Sequence, residues 1–211
     1  MNLDKIIQSR HSIREYKKKD VDYKLIGQIL EAATYAPSSG NIQNWRFIII
    51  KDQEKRGRIA KASLNQLWMS QAPVHIAVCY DEKNAKTLYP KEYESFSIQN
   101  TAIASTIIML KATELNLGTC WVAVTDPSKI SGILRIPDYF RPAVIITLGY
   151  PAGYYKKTKR TQIDKLSYLE DYQSRPTVEG YSYSRKAKGD ATIFPIDKYP
   201  RKLGSKIKTR L

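Results

Sequence analysis

Cysteine, histidine and acidic residues are all scarce in this 211-residue chain, with two Cys, two His and 20 Asp+Glu against 35 Lys+Arg. Cys79 and Cys120 both fall in apolar, strand-like runs. They read as buried thiols rather than as a disulfide pair or half of a zinc site. With His11 and His75 the only imidazoles, no Ser-His-Asp or Cys-His set and no metal-ligand spacing can be assembled. Long hydrophobic runs are missing too: the longest uncharged stretch, Ser95 to Leu110, has 16 residues and includes Ser, Gln, Asn and Thr. That is too short and too polar to span a bilayer. The opening MNLDKIIQSR places Asp4 and Lys5 where a secretory leader needs an apolar segment, so a cytoplasmic location is expected. Ten Gly, ten Pro and 42% apolar residues exclude collagen-like and wholly disordered chains. A chain of this length holds one domain and a margin, with a core that needs no metal or disulfide.

The charge is lopsided. Of a net +15, +7 sits on residues 174–211, where ten basic residues face only Glu179, Asp190 and Asp197. That stretch also carries three Pro and three Gly and lacks any sustained helical or strand period, so it reads as a basic extension of a 1–173 domain. Its Tyr181, Tyr183, Ile193, Phe194, Ile196 and Tyr199 point to partial docking on a folded body, with the remainder mobile.

The body alternates helices and strands. Asn2 caps a short helix over 3–8, and Asp22 caps a second in which Leu25, Ile26, Ile29, Leu30 and Ala33 recur at helical spacing. Strands are expected over 45–50, 74–80, 119–124 and 143–149, and further helices over 53–65 and 127–134. The 74–80 run, VHIAVCY, is too apolar for a half-exposed edge. Residues 93–116 form a long helix, apolar nearly all round and therefore central and buried. Asn116-Leu117-Gly118 ends it with a left-handed stop. The fold class is α+β, a small mixed or antiparallel sheet packed by helices.

Two constellations carry chemistry. In an extended segment Arg10, Ser12 and Arg14 face one side, offering two guanidinium groups and a hydroxyl to a phosphate, while Ile13 turns to the core. Taken alone, the same residues also describe a solvated basic turn. The second is APSSGNIQNW at 36–45. Pro37 stops a helix, Ser38-Ser39-Gly40 lets the backbone approach a flat ligand, and Asn41 and Gln43 offer donor and acceptor together. An ordinary helix-to-strand loop has the same composition.

Read together and in order, R-H-S-I-R at 10–14, P-S-S-x-N-x-Q-x-W at 37–45, N-Q-x5-A-P at 65–73, G-T-C-W at 118–121, L-G-Y-P at 148–151 and Lys159-Arg160 resemble the nitroreductase family of flavin enzymes. The likeness covers residues 2–172. It implies a nitroreductase-like fold and FMN held without a covalent bond at a homodimer interface. By position Arg10, His11 and Ser12 match the phosphate and ribityl contacts, and Arg14 the base near the pyrimidine end. Pro37, Ser38, Ser39 and Asn41 match the loop that a partner protomer lays on the ring. Gln66 matches the side chain at the O2/N3 edge, Trp121 and Val122 the backbone beside the ring, and Lys159 and Arg160 a C-terminal phosphate clamp. Asn44 departs from the family's usual Pro, which implies a looser turn into the strand.

No catalytic side chain is expected, because the flavin N5 would carry hydride from NADH or NADPH to a small-molecule acceptor in ping-pong fashion. A nitroaromatic, a quinone or free flavin would each suit, with Tyr89 and Tyr93 as aromatic lids over the substrate. Two other readings stay open: a flavin-binding protein without turnover, and a nucleic-acid partner for the basic, Tyr-bearing extension. His11 is open between ligand contact and packing. His75, Trp45 and Trp68 read as core or packing residues, and Cys120 as a thiol without a lowered pKa.

Overall fold

The computed structural model describes residues 2–153, 155 and 158–174. Its contacts divide the chain into Met1–Lys156 and Lys157–Leu211, and each part stands by itself below. The expected extension lies, apart from Ser174, outside the described residues.

In the first part the order is α1 (Leu3–Ser9), α2 (Tyr23–Thr34), β1 (Trp45–Ile50), α3 (Gln53–Ala62), β2 (Val74–Asp81), α4 (Glu82–Leu88), α5 (Tyr93–Glu114), β3 (Gly118–Ala123), α6 (Pro127–Leu134) and β4 (Phe140–Gly149). Local chemistry sets most starts. The side chains of Asn2, Asp22, Asp52, Asp81 and Asp126 each accept from a backbone N–H of the first helical turn. Pro127 opens α6, where its missing N–H costs nothing. The sequence-based helix over 53–65 stops early, at Ala62, because Leu64 and Asn65 take left-handed φ values of 55° and 56°. Asn116, at φ 58°, provides the expected stop after α5. Residues 81–92, for which the sequence predicts no helix or strand, contain α4, started by Asp81 and supported by a 2.6 Å Lys86–Glu82 pair.

The sheet is antiparallel throughout, in the order β1-β2-β4-β3. Every residue of β2 is buried, since it is paired on both sides and covered on both faces. Its Val74, Ile76 and Val78 join Val144, Ile146 and Leu148 of β4 under α2 and α5. Ala77, Cys79 and Ile145 turn the other way, against α3, α6, Met69 and Val122. Pro142, which cannot donate to the ladder, sits where the β2–β4 register shifts between Val78 and Cys79. Within the single chain α5 buries one side, from Ser97 to Ala112, and leaves Ile98 and Ile103 exposed.

In the second part, the described residues 158–174 hold a 3₁₀ turn at Ile163–Lys165. The Asp171 carboxylate accepts from the Gln173 and Ser174 N–H groups at 2.8 and 2.9 Å. Tyr168 and Tyr172 stack with ring centres 4.3 Å apart.

Candidate functional site

The segment after α1 is fixed residue by residue. Arg10 ends the helix in an extended conformation. Ser12 then bridges Thr119 in parallel, and the Ile13 N–H donates to the Thr119 carbonyl at 2.9 Å. Farther along, the Ala152 N–H donates to Glu15 O and the Lys17 N–H to Tyr150 O. The buried Tyr16 hydroxyl donates to Ile13 O at 2.7 Å and shares a 2.7 Å bond with Thr147 Oγ1. Ile13 is buried, while Ser12 and Arg14 are exposed and Arg10 half-buried. The alternation expected from the sequence is therefore present. Close packing enforces it: a Cβ on Gly118 would fall 2.6 Å from Ile13 Cγ1.

The exposed side of this segment converges on β3 and on the turn before β2. Arg14 lies over the Trp68 ring, 5.6 Å from its centre. Trp68 also packs against Ile13, Tyr16 and Ala72, so it is a platform for Arg14 as well as a packing residue. Burial pushes the Cys120 thiol up; the Arg14 charge and hydrogen bonds from Ser12 and Arg14 oppose that shift only in part. Arg10 acts on the same thiol, so Arg10, Ser12 and Arg14 share one neighbourhood. Among the described residues neither Arg10 nor Arg14 is ion-paired with a carboxylate.

Gln66 caps the 3₁₀ turn Leu67–Gln71 and is half-buried. That turn is stapled from below by Arg56, which donates to Ser70 O at 2.9 Å and to Ala72 O. Trp121 is half-buried against the α2/α5 side of the sheet, and Val122 is buried on the other. His11 is half-buried, its Nδ1–H donating to Ser9 O at 2.5 Å, and it lines a cavity of about 260 Å³ with Ile13, Thr113 and Asn116. His75 is a core residue, as expected. Its Nε2 bonds Met69 O at 2.9 Å, and burial lowers its pKa to about 4.

The 37–44 loop is built elsewhere. Gly40, Asn41 and Gln43 all have positive φ. Pro37 and Asn41 are exposed, and Ser38 and Ser39 half-buried. The Ser39 N–H donates to Asn100 Oδ1 at 3.0 Å, and the Gln43 N–H to Ser38 Oγ at 3.1 Å. Asn44, expected to loosen the turn, tightens it instead. It is buried, its amide donates to Ser97 Oγ at 2.8 Å and Asp81 O at 3.2 Å, and its oxygen accepts from Asn100 at 3.0 Å. Sequence reasoning missed Ser97 and Asn100; polar residues three apart on a helix otherwise so apolar were the available signal. Tyr89 reaches Gly40, where an added Cβ would meet its hydroxyl at 2.5 Å, and its ring meets Phe96 edge-on at 4.9 Å. Tyr93 lies under Lys86, 4.6 Å from Nζ.

One chain does not bring the two constellations together. The 10–14 segment lies beside the start of β3 and the 37–44 loop feeds the start of β1, at the opposite edge and the opposite end of the sheet. Three strand spacings alone separate them by about 14 Å. Lys159 and Arg160 are exposed residues of the second part.

A cationic, hydroxyl-bearing segment bridged to the edge of a packed antiparallel sheet defines the class, an α+β protein. Comparison makes it particular, because the sequence profile of the Nitroreductase family matches residues 7–69 and 64–150. The chain belongs to the nitroreductase family. A Methanothermobacter thermautotrophicus protein, provisionally named an NADH dehydrogenase/NAD(P)H nitroreductase, is 35% identical over 156 residues, 72% of this chain and 78% of its own length. An FMN reductase [NAD(P)H] of Bacillus subtilis is 28% identical over 192 residues, covering 84% of this chain and 77% of its own. Among solved structures, B. megaterium NfrA2 superposes with a TM-score of 0.76 at 26% identity, over 82% of this chain and 76% of that one. An FMN-dependent nitroreductase from Clostridium difficile R20291 gives 0.68 at 26% identity, over 79% and 98%. Among the described residues no helix is long and apolar enough to cross a membrane, and no cluster of His, Cys, Asp and Glu could hold a metal.

Proposed function

We propose that this chain is an FMN-dependent NAD(P)H oxidoreductase that passes reducing equivalents to a small acceptor: a nitroaromatic, a quinone or free flavin. The observation that carries it is the convergence of Arg10, Ser12 and Arg14 beside Cys120 and Trp68, with neither guanidinium group ion-paired to a carboxylate among the described residues. That donor set fits a phosphate monoester, and the Gln66 amide fits the polar edge of a heterocycle. When bound, FMN supplies the hydride-accepting and hydride-donating centre. Arg10, His11 and Ser12 would hold its phosphate and ribityl chain. Arg14, steadied by Trp68, would offset negative charge gathering at the pyrimidine end. Trp121 and Val122 would supply backbone beside the ring.

A homodimer completes this reading. Pro37, Ser38, Ser39 and Asn41 lie too far from Arg10 to serve the same flavin within one chain, so the loop is assigned to the partner's site. Leu3 and Ile7 of α1, 64% and 52% exposed, and Ile98 and Ile103 of α5 give the two copies apolar surface to share. Tyr89, seated on Gly40, then lies beside the same flavin and with Tyr93 lines the acceptor's side.

The test is the absorption spectrum of the purified protein before and after anaerobic NADH or NADPH. A yellow protein with about one FMN per chain, bleached by either nucleotide, is expected. Protein that takes up no FMN overturns the reading. FMN that neither nucleotide bleaches turns it into a flavin carrier. Arg10→Ala should weaken FMN binding by about 1.5–3 kcal/mol, the range for a hydrogen bond to a charged group.

A further inference from the structure

Between α3 and α6 runs a groove of about 910 Å³ that none of the matched motifs uses. Arg58 and Lys61 on the α3 side and Lys129 on the α6 side line it, against one carboxylate, Asp126. Asp126 is already engaged. It accepts from the Lys129 N–H at 3.0 Å and pairs with Lys129 Nζ at 2.9 Å. Arg58 and Lys61 are exposed and ion-paired with nothing among the described residues. Two cations without an ion-pair partner among the described residues, set on a concave wall, raise a positive potential that favours an anion.

Position narrows the anion. The groove wall includes Leu64, two residues before Gln66, and Thr125, three residues after Val122. Both segments that border it therefore continue into the candidate flavin site. Its helices pack with Val122 on the face of the sheet that also carries Ala77 and Ile145. A ligand reaching the flavin from this side would trail into the groove, and the pyridine nucleotide, which every turnover requires, carries the long anionic tail that a nitroaromatic or a quinone lacks.

We propose that the groove between α3 and α6 binds the phosphate groups of the pyridine nucleotide, with Arg58 and Lys61 as their cationic contacts. This rests on the reading of the chain as an NAD(P)H oxidoreductase. A nucleotide held here has its nicotinamide end directed along Leu64 and Thr125 toward Gln66 and Val122. Gly132 keeps the α6 wall low, since an added Cβ there meets nothing within 4 Å. A side chain can therefore be introduced at that position without disturbing the core.

Two variants of the FMN-loaded protein test the assignment, Arg58→Ala/Lys61→Ala and Gly132→Glu, the second placing a carboxylate in the groove. NADP⁺, NAD⁺ and 2′,5′-ADP are titrated into each by calorimetry, at low and at physiological salt. The expected result is a Kd for NADP⁺ raised about tenfold or more in both variants, most clearly at low salt. FMN content and photoreduction of the flavin by light and EDTA should stay at the parent values. Loss confined to NADP⁺ and 2′,5′-ADP assigns the contacts to the 2′-phosphate, and equal loss for NAD⁺ assigns them to the pyrophosphate. Parent-like Kd values in two flavin-loaded variants overturn this proposal and leave the oxidoreductase reading standing. A parent protein that takes up no FMN overturns both.

Discussion

Asn44→Ala removes the side chain that joins the 37–44 loop to α5, and the cost can be worked from the contacts. Three hydrogen bonds go: to Ser97 Oγ at 2.8 Å, to Asp81 O at 3.2 Å and from Asn100 at 3.0 Å. Each is worth about 0.5–1.5 kcal/mol net, and a buried Asn100 amide left without an acceptor adds about 1–3 kcal/mol. Water entering the small cavity would return part of that, so the expected loss is about 2–4 kcal/mol. For a chain of this size that lowers Tm by about 5–15 °C. Thermal unfolding followed by circular dichroism, on parent, Asn44→Ala, Asn100→Ala and the double variant, is the assay. Because the two amides touch, the double variant should cost less than the sum of the singles by about 1 kcal/mol or more. Additive singles, or a Tm change below 2 °C for Asn44→Ala, would refute the pinning argument. Asn44→Pro, although it installs the family's usual residue, should cost at least as much as Ala. Gln43 has φ 45°, and the residue before a proline is driven to extended geometry.

Gly118→Ala should lower stability by about 1–3 kcal/mol through overpacking against Ile13, and should weaken FMN binding as the 10–14 segment shifts; denaturant melts and flavin titration check both. Stability should also fall between pH 6.5 and about 4 through His75, whose folded pKa is lowered from 6.5 to about 4. In that window the unfolded chain binds a proton that the folded chain refuses, so stability rises with pH and is lost on acidification, by up to about 3 kcal/mol. Urea melts of His75→Gln should lack that component of the slope. Ile103→Lys on the exposed side of α5 should convert a dimer into monomers in sedimentation and cost the protein its flavin; a flavin-loaded dimer in this variant would move the interface elsewhere.

How much of this was legible before folding depended on whether a feature was local. Asn2 and Asp22 announce helix starts because a cap acts on a backbone N–H two or three residues away. VHIAVCY announces a doubly covered strand because burial on both faces leaves no polar alternation. Arg10, Ser12 and Arg14 share a side because an extended chain alternates. Residues 81–93 hid α4 because seven residues are too few to display a period, and its stability comes from Glu82 bridging Lys86 and Arg141, 59 positions away. Trp68 under Arg14 and Asn100 against Asn44 join segments 54 and 56 positions apart, a pairing that no local pattern encodes.

The α5 sequence posed the subtler problem, because an apolar pattern records burial without saying by what. Towards its own sheet it buries Ile108 and Met109 together with the small and polar Ser97, Asn100, Ala104, Ser105 and Ala112, while Ile98 and Ile103 face outward. A helix that leaves Ile98 and Ile103 uncovered, after burying Ile108 and Met109, suits the second copy proposed above. The 10–14 segment and the 37–44 loop, stranded at opposite edges of one sheet, lead to the same requirement. The apolar excess on α5 and the divided site are both explained if a second copy covers Ile98 and Ile103 and brings its own Ser38 and Ser39 to this chain's Arg10.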